Sequence, residues 1–175
     1  FTSMSEVVPP DVLVHHLSEY LTVVADCLHR TGATVDQYIG DAVLAFWNAP
    51  EPTHDHAQRA CEAALAAQAA IATLNQRWQQ SGLSLVFRTR IGINTGSAIV
   101  GNIGSDDRMS YTAIGDQVNL TSRLEGANKF YGTSVLLSQH TRDQLRAGSF
   151  VTRRVDQLVV FGKTVPIRVY ELVGH

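Results

Sequence analysis

Apolar residues recur at helical spacing near the start of the chain and then gather into shorter runs. From Pro10 to Leu28 they repeat every three or four positions, and a Thr-Gly pair then ends the pattern, which predicts a helix. Residues 33–47 are rich in Val, Ile, Tyr and Phe and are interrupted by Gly40, which predicts a β-hairpin. The Ala-rich segment 54–80 predicts a long second helix.

The second half of the chain continues this mixture of helices and strands. The patterns predict strands over 85–94 and 98–103, a loop over 104–107, a short β-like run over 111–114, a helix over 115–131, a strand over 134–137, a short helix over 139–146 and a hairpin over 151–161 and 165–172. This order predicts an α+β sandwich with helices packed on a mostly antiparallel sheet. In such an order a strand should precede the first helix, so we expect the first strand of the sheet upstream of Phe1. The 175 residues are otherwise expected to form a single domain, 1–175.

Composition and charge exclude several classes of function. The chain is 45% hydrophobic and 17% charged, as in a globular domain, and its net charge of −2 lacks the basic balance used to bind nucleic acid or anionic membrane. Neither a membrane-spanning run nor a signal-peptide pattern is present. Cys27 and Cys61 are too few for a disulfide scaffold. We therefore expect a cytoplasmic domain without nucleic-acid or membrane contacts, even if the whole protein is membrane-anchored.

Three segments contain residues with candidate chemistry. Asp41 follows Gly40 at the predicted hairpin tip, where a carboxylate can bind a divalent cation, although a Gly-Asp pair alone is more typical of a plain turn. Asn119 and Arg123 share one face near the start of a predicted helix, which suits either an anion site or a solvated surface. Lys163 lies at the tip of the last predicted hairpin, where lysine is usually solvated.

In their order along the chain, these segments resemble the catalytic domain of class III nucleotidyl cyclases, the adenylate and guanylate cyclases. Residues 37–42 resemble the family's Lys-Tyr-Ile-Gly-Asp-Ala hairpin, and 90–96 resemble its Arg-x-Gly-Ile-x-x-Gly strand and turn. Residues 111–125 resemble its Tyr-Thr-Val-Ile-Gly-Asp-x-Val-Asn-x-Ala-x-Arg-Leu-Glu segment, 1–2 the end of its Asp-Ile-x-Gly-Phe-Thr motif, and 162–172 its closing hairpin. Each motif is modest alone, whereas all of them in order are highly specific.

The resemblance implies a ferredoxin-like α/β sandwich and a two-metal-ion reaction. The ribose 3′-hydroxyl of ATP attacks the α-phosphorus, and 3′,5′-cyclic AMP and pyrophosphate result. Two Mg²⁺ or Mn²⁺ ions are implied, with Asp41 as one metal aspartate and the other four residues before Phe1. A head-to-tail homodimer with shared sites is also implied, as the output domain of a signalling protein with an upstream sensor. We therefore expect the 175 residues, truncated at the N-terminus, to be inactive by themselves.

The resemblance assigns further roles residue by residue. Asn119 would orient the ribose, and Arg123 would stabilise the charge that develops on the α-phosphate. Lys163 is the candidate cation for the triphosphate, where the family usually has Lys-Gly-Lys and this chain has Phe-Gly-Lys. Phe1 and Thr2 would donate backbone N–H groups to phosphate.

Two residues occupy the positions that contact the purine, Gln37 and Thr112. Adenylate cyclases have lysine where this chain has Gln37, and guanylate cyclases have glutamate; an amide can donate or accept and suits either base. Thr112 can hydrogen-bond the adenine amino group, which favours ATP as the substrate. A threonine at this position also resembles the bacterial subgroup of the family. A guanylate cyclase and a degenerate cyclase-homology domain that dimerises or binds nucleotide remain alternatives. A nucleic-acid-binding sheet is disfavoured, because it would need stacking aromatics and a basic surface, whereas this chain has a net charge of −2 and no aromatic-rich strand of that kind.

Overall fold

The structure is a computed structural model that describes residues 8–83, 86–158 and 166–175. Its helices are α1 (Pro10–Arg30), α2 (His56–Gln80), α3 (Asp116–Tyr131) and α4 (Gln139–Arg142). Its strands are β1 (Thr34–Ile39), β2 (Ala42–Phe46), β3 (Ile91–Ile93), β4 (Ile99–Ser105), β5 (Arg108–Ile114), β6 (Val135–Ser138), β7 (Val151–Leu158) and β8 (Ile167–Gly174). The predicted α+β fold is confirmed.

A four-stranded sheet in the order β3-β6-β8-β7 forms the central layer. β3 and β6 are parallel, and the other two pairs are antiparallel, as expected for a mostly antiparallel sheet. Because side chains alternate along a strand, β6 buries residues on both faces. Val135 and Leu137 pack with small residues of α2, whereas Leu136 packs with Leu120 and Leu124 of α3. The sheet is therefore a core layer between α2 and α3.

The Ala-rich sequence of α2 suits its two neighbours. Its first half buries small residues such as Ala60 and Ala64 against the sheet, which allows close approach. Its second half packs larger side chains near α1. The ring centroids of Trp78 and Phe87 are 5.5 Å apart, and the ring of Phe87 stacks on that of Tyr20, in α1, at a centroid distance of 4.6 Å. None of the helices in the described ranges is long and apolar enough to cross a bilayer.

The strand predicted over 85–94 is shorter than expected, because among its described residues only Ile91–Ile93 pairs with a neighbouring strand. Asn75, on α2, hydrogen-bonds the backbone of Phe87, which lies before β3 in the chain. Asn75 Nδ2 donates to the carbonyl oxygen of Phe87 at 2.8 Å, and the N–H of Phe87 donates to Asn75 Oδ1 at 2.9 Å. These bonds satisfy the backbone polar groups of Phe87 without a partner strand.

The second hairpin is longer than the sequence pattern predicts. Half of the expected loop over 104–107 is strand, since β4 continues to Ser105, and residues 106–107 form the turn before β5 begins at Arg108. Composition misled the prediction, because Gly, Ser and Asp are typical of loops. The predicted helix over 139–146 also ends early, at Arg142. Both hairpins, β1-β2 and β4-β5, form two-stranded sheets of their own.

Candidate active site

The first hairpin places Asp41 at its tip. β1 and β2 pair from Thr34 opposite Phe46 to Ile39 opposite Ala42, so Gly40 and Asp41 make the turn. Gly40 has a φ of 63°, a conformation that costs glycine little and other residues more. Asp41 is half-buried, and among the described residues no hydrogen bond or ion pair reaches its carboxylate. Its oxygens are therefore available to a ligand.

A carboxylate at a turn fits a hard divalent cation, which prefers oxygen ligands. Within the described ranges, the group of three or more His, Cys, Asp and Glu side chains close enough to share an ion is His15, His16 and Glu19, on α1 and not at the hairpin. The described residues therefore bring one such ligand, Asp41, to the hairpin tip. Substrate oxygens or a second carboxylate would have to complete the coordination.

A residue that the sequence prediction missed connects Thr112 to the strand that carries Gln37. Gln37 is exposed on β1, and Thr112 is half-buried on β5. Asp36, next to Gln37, accepts a hydrogen bond from Thr112 Oγ1 at 2.6 Å and another from the N–H of Ala113 at 3.3 Å. These bonds connect the two hairpins. The signal that could have revealed Asp36 is a carboxylate in the middle of a predicted strand.

A β-bulge gives Asp36 its position. The register of β1 against β2 shifts between Val35, which lies opposite Ala45, and Gln37, which lies opposite Leu44. Asp36 therefore has no partner residue on β2. Bulges of this kind change the direction of a side chain and are common near functional sites.

Asn119 and Arg123 lie on one exposed face in the first turns of α3, as predicted. The helix begins after Gly115, whose φ of 141° is unfavourable for most other residues. The N–H of Asn119 donates to the carbonyl oxygen of Gly115 at 3.2 Å and closes the first turn. Both side chains are thus presented near a helix N-terminus, where the backbone favours negative charge.

Strand β3 and its flanking residues determine where α3 lies. Asn94 Nδ2 donates to the backbone oxygen of Gln117 at 3.0 Å and to its side-chain oxygen at 2.9 Å. At the other end of the helix, Asn128 Nδ2 donates to the carbonyl oxygen of Ile91 at 3.0 Å. Asn128 is almost fully buried. The helix that presents the two exposed polar side chains is therefore tied to β3 at both ends.

Three of the predicted site residues, Phe1, Thr2 and Lys163, lie outside the described residues. Their roles stay predictions. The tip of the closing hairpin is also outside, although β7 and β8 pair antiparallel as expected.

Residues 1–174 match the family described as the adenylate and guanylate cyclase catalytic domain. The chain belongs to this family, and the resemblance inferred from its motifs is confirmed. Adenylate cyclase 1 of Rhizobium meliloti (strain 1021) is 40% identical over 178 residues, which cover 99% of this chain and 26% of that protein. The adenylate cyclase of Anabaena cylindrica is 34% identical, over 98% of this chain and 34% of that protein. The chain thus spans about a third or less of these curated relatives.

Solved structures with the same fold include cyclases named for either base. The adenylyl cyclase CyaB from P. aeruginosa has a TM-score of 0.89 and 32% identity, over 99% of this chain and 88% of that one. The guanylyl cyclase Cya2 has a TM-score of 0.85 and 35% identity, over 99% and 86%. The comparisons therefore define a nucleotidyl cyclase domain, and the choice between ATP and GTP depends on individual residues.

Proposed function

We propose that this domain is an adenylate cyclase that converts ATP to 3′,5′-cyclic AMP and pyrophosphate. The observation that carries the proposal is the exposed pair Asn119 and Arg123 at the start of α3, in a chain that also presents an available carboxylate on Asp41. The two curated relatives described above are named adenylate cyclases. Thr112 is a suitable partner for the amino group of adenine.

Each polar residue has a distinct role in this proposal. Asn119 binds and orients the ribose, so that its 3′-hydroxyl faces the α-phosphorus. Arg123 offers a fork of N–H donors to the α-phosphate, where negative charge increases in the transition state. Both effects are positioning and charge stabilisation, which supply most of the catalysis in phosphoryl chemistry.

The proposed cofactors are Mg²⁺ or Mn²⁺, held by Asp41 together with the aspartate expected upstream of Phe1. When bound, they increase the acidity of the ribose 3′-hydroxyl and neutralise charge on the triphosphate. Backbone N–H groups of Phe1 and Thr2 would bind phosphate, and Lys163 would pair with the triphosphate.

A homodimer is part of the proposal, because the two hairpins expose apolar side chains. Ile39 is 60% exposed, Ile99 68%, Met109 62% and Ile114 44%. Ile99 and Ile114 lie directly opposite each other on β4 and β5, and neighbouring exposed apolar side chains of this kind favour an interaction surface. A head-to-tail dimer would cover these side chains and form sites from residues of both protomers. In the whole protein, we propose that an upstream sensor controls this arrangement.

The test assays the protein with its upstream residues, including the expected aspartate, with Mn²⁺ and either ATP or GTP. We expect cyclic AMP from ATP, its loss in Asp41→Asn, and a decrease of about 10²- to 10³-fold in turnover in Arg123→Ala with similar nucleotide affinity. Arg88→Ala removes another exposed arginine and should leave turnover unchanged. Cyclic GMP as the main product would indicate a guanylate cyclase. Nucleotide binding without product would indicate a degenerate regulatory domain.

A further inference from the structure

The hydroxyl of Thr112 has a defined direction, because its partner oxygen also accepts from a backbone N–H. Thr112 Oγ1 lies 2.6 Å from Asp36 Oδ2, a distance typical of a hydroxyl donating to a carboxylate. The N–H of Ala113, an obligatory donor, points to the same oxygen at 3.3 Å. Because the N–H of Ala113 also donates to this oxygen, Oδ2 acts as an acceptor, and the Thr112 hydroxyl uses its single hydrogen in this bond.

This geometry leaves Thr112 as an acceptor toward any ligand. A threonine hydroxyl has one hydrogen and two lone pairs, so with the hydrogen bound to Asp36 only lone pairs remain. Adenine carries an amino donor at the position where guanine carries the acceptor O6. An acceptor that faces the amino group makes a hydrogen bond, whereas one that faces O6 leaves two acceptors opposed and unpaired.

We propose that Asp36 is a specificity-determining positioning residue, which fixes the hydrogen-bond direction of Thr112 and so selects adenine over guanine. The inference rests on the proposed function, in which Thr112 contacts the purine. The other base-contacting candidate, Gln37, has an amide that can donate or accept and does not discriminate by itself. Without Asp36 the Thr112 hydroxyl would be free to rotate and could serve either base.

The position of Asp36 is held by the fold around it. The bulge between Val35 and Gln37 leaves it out of the β1-β2 register, and its two hydrogen bonds reach across to β5. Its second oxygen, Oδ1, is buried and has no hydrogen-bond partner among the described residues. A buried carboxylate oxygen without a partner costs stability, which is typical of a residue retained for function rather than for folding.

The experiment compares the preference for adenine in the upstream-extended protein and its variants, by two readouts. One is the ratio of kcat/KM for ATP to kcat/KM for GTP. The other is the ratio of affinities for 3′-deoxy-ATP and 3′-deoxy-GTP, which lack the attacking hydroxyl and need no turnover. If no cyclic product forms, the proposed function fails, but the binding ratio still tests Asp36.

We expect Asp36→Ala to reduce both ratios by about tenfold, the effect of one mispaired buried group. Asp36→Asn retains an oxygen that accepts from Thr112 and should restore most of the preference. Asp106→Ala removes an exposed aspartate at the β4-β5 turn and should leave the ratios unchanged. A merely structural role would weaken both nucleotides equally.

A second variant keeps the proposal falsifiable if Asp36→Ala does not fold. Thr112→Val preserves the shape of the side chain and removes its hydroxyl, so it should also reduce both ratios. Unchanged ratios in either Asp36→Ala or Thr112→Val would overturn the proposal. An absence of adenine preference in the unmodified protein would overturn it as well.

Discussion

Strand β3 contacts the backbone of α3 at Gly92, so a methyl group there should displace the helix that carries Asn119 and Arg123. A Cβ at this position would lie 2.3 Å from the carbonyl oxygen of Thr121 and 2.5 Å from the backbone nitrogen of Glu125. Both atoms belong to the main chain, and neither can rotate away. Gly92→Ala therefore forces α3 and β3 apart.

The size of this displacement follows from the distances. Cβ contacts under 3.0 Å are essentially never found, so the 2.3 Å contact must lengthen by at least about 0.7 Å. Forcing extra volume into a packed core costs about 1–3 kcal/mol. A misplacement approaching 1 Å at a group that positions substrate can cost about 10²-fold in rate. We therefore expect Gly92→Ala to lower the free energy of unfolding by about 1–3 kcal/mol. We expect it to lower the cyclase rate by about 10²-fold.

Urea unfolding followed by circular dichroism measures the first effect, and the cyclase assay of the upstream-extended protein measures the second. Gly126→Ala is the matched control, because it lies in α3 and its added Cβ would meet nothing within 4 Å. Replacing this helical glycine by alanine should raise the free energy of unfolding by about 0.5–1 kcal/mol. If Gly92→Ala unfolded at the same urea concentration as Gly126→Ala, the packing argument would be refuted.

Two further predictions concern a part-exposed carboxylate and a buried thiol. Burial opposes the ionisation of Glu19, but hydrogen bonds with Trp78 and His16 hold its pKa below the usual 4.5. The resulting stability is present above the unfolded-state pKa and is lost as the pH falls through the lower folded-state pKa, so Glu19→Gln should flatten acid unfolding measured in urea between pH 6 and 3. An unchanged pH dependence would contradict this. Burial raises the pKa of Cys61 to about 12, so a thiol reagent at pH 8 should label it only after unfolding; rapid labelling of the native protein would refute this.

Elements with strong local signals were predictable from the sequence. α1 and α3 agree with their predictions within a residue or two, because apolar spacing and terminal glycines act over a few positions. The turn at Gly40 and Asp41 follows from local chemistry in the same way. Motif order also indicated the cyclase family and the candidate pair Asn119 and Arg123.

Features that depend on distant partners could not be predicted. The strand expected over 85–94 pairs over Ile91–Ile93, whereas the backbone of Phe87 is hydrogen-bonded by Asn75, on another element. The loop expected over 104–107 is reduced to the turn at 106–107, because β4 and β5 pair along their full length. Local composition contains no information about either partner.

The amino-acid sequence by itself therefore determined the fold class, the family and which residue types are available for cyclase chemistry, because these follow from periodicity and motif order. Only the tertiary structure decided how those residues are held. It packs Gly92 against the backbone of α3, and it brings Asp36 within 2.6 Å of Thr112, 76 positions away. The physical reason is that hydrogen-bond direction and close packing depend on the partner as much as on the residue, and the partner is chosen by folding.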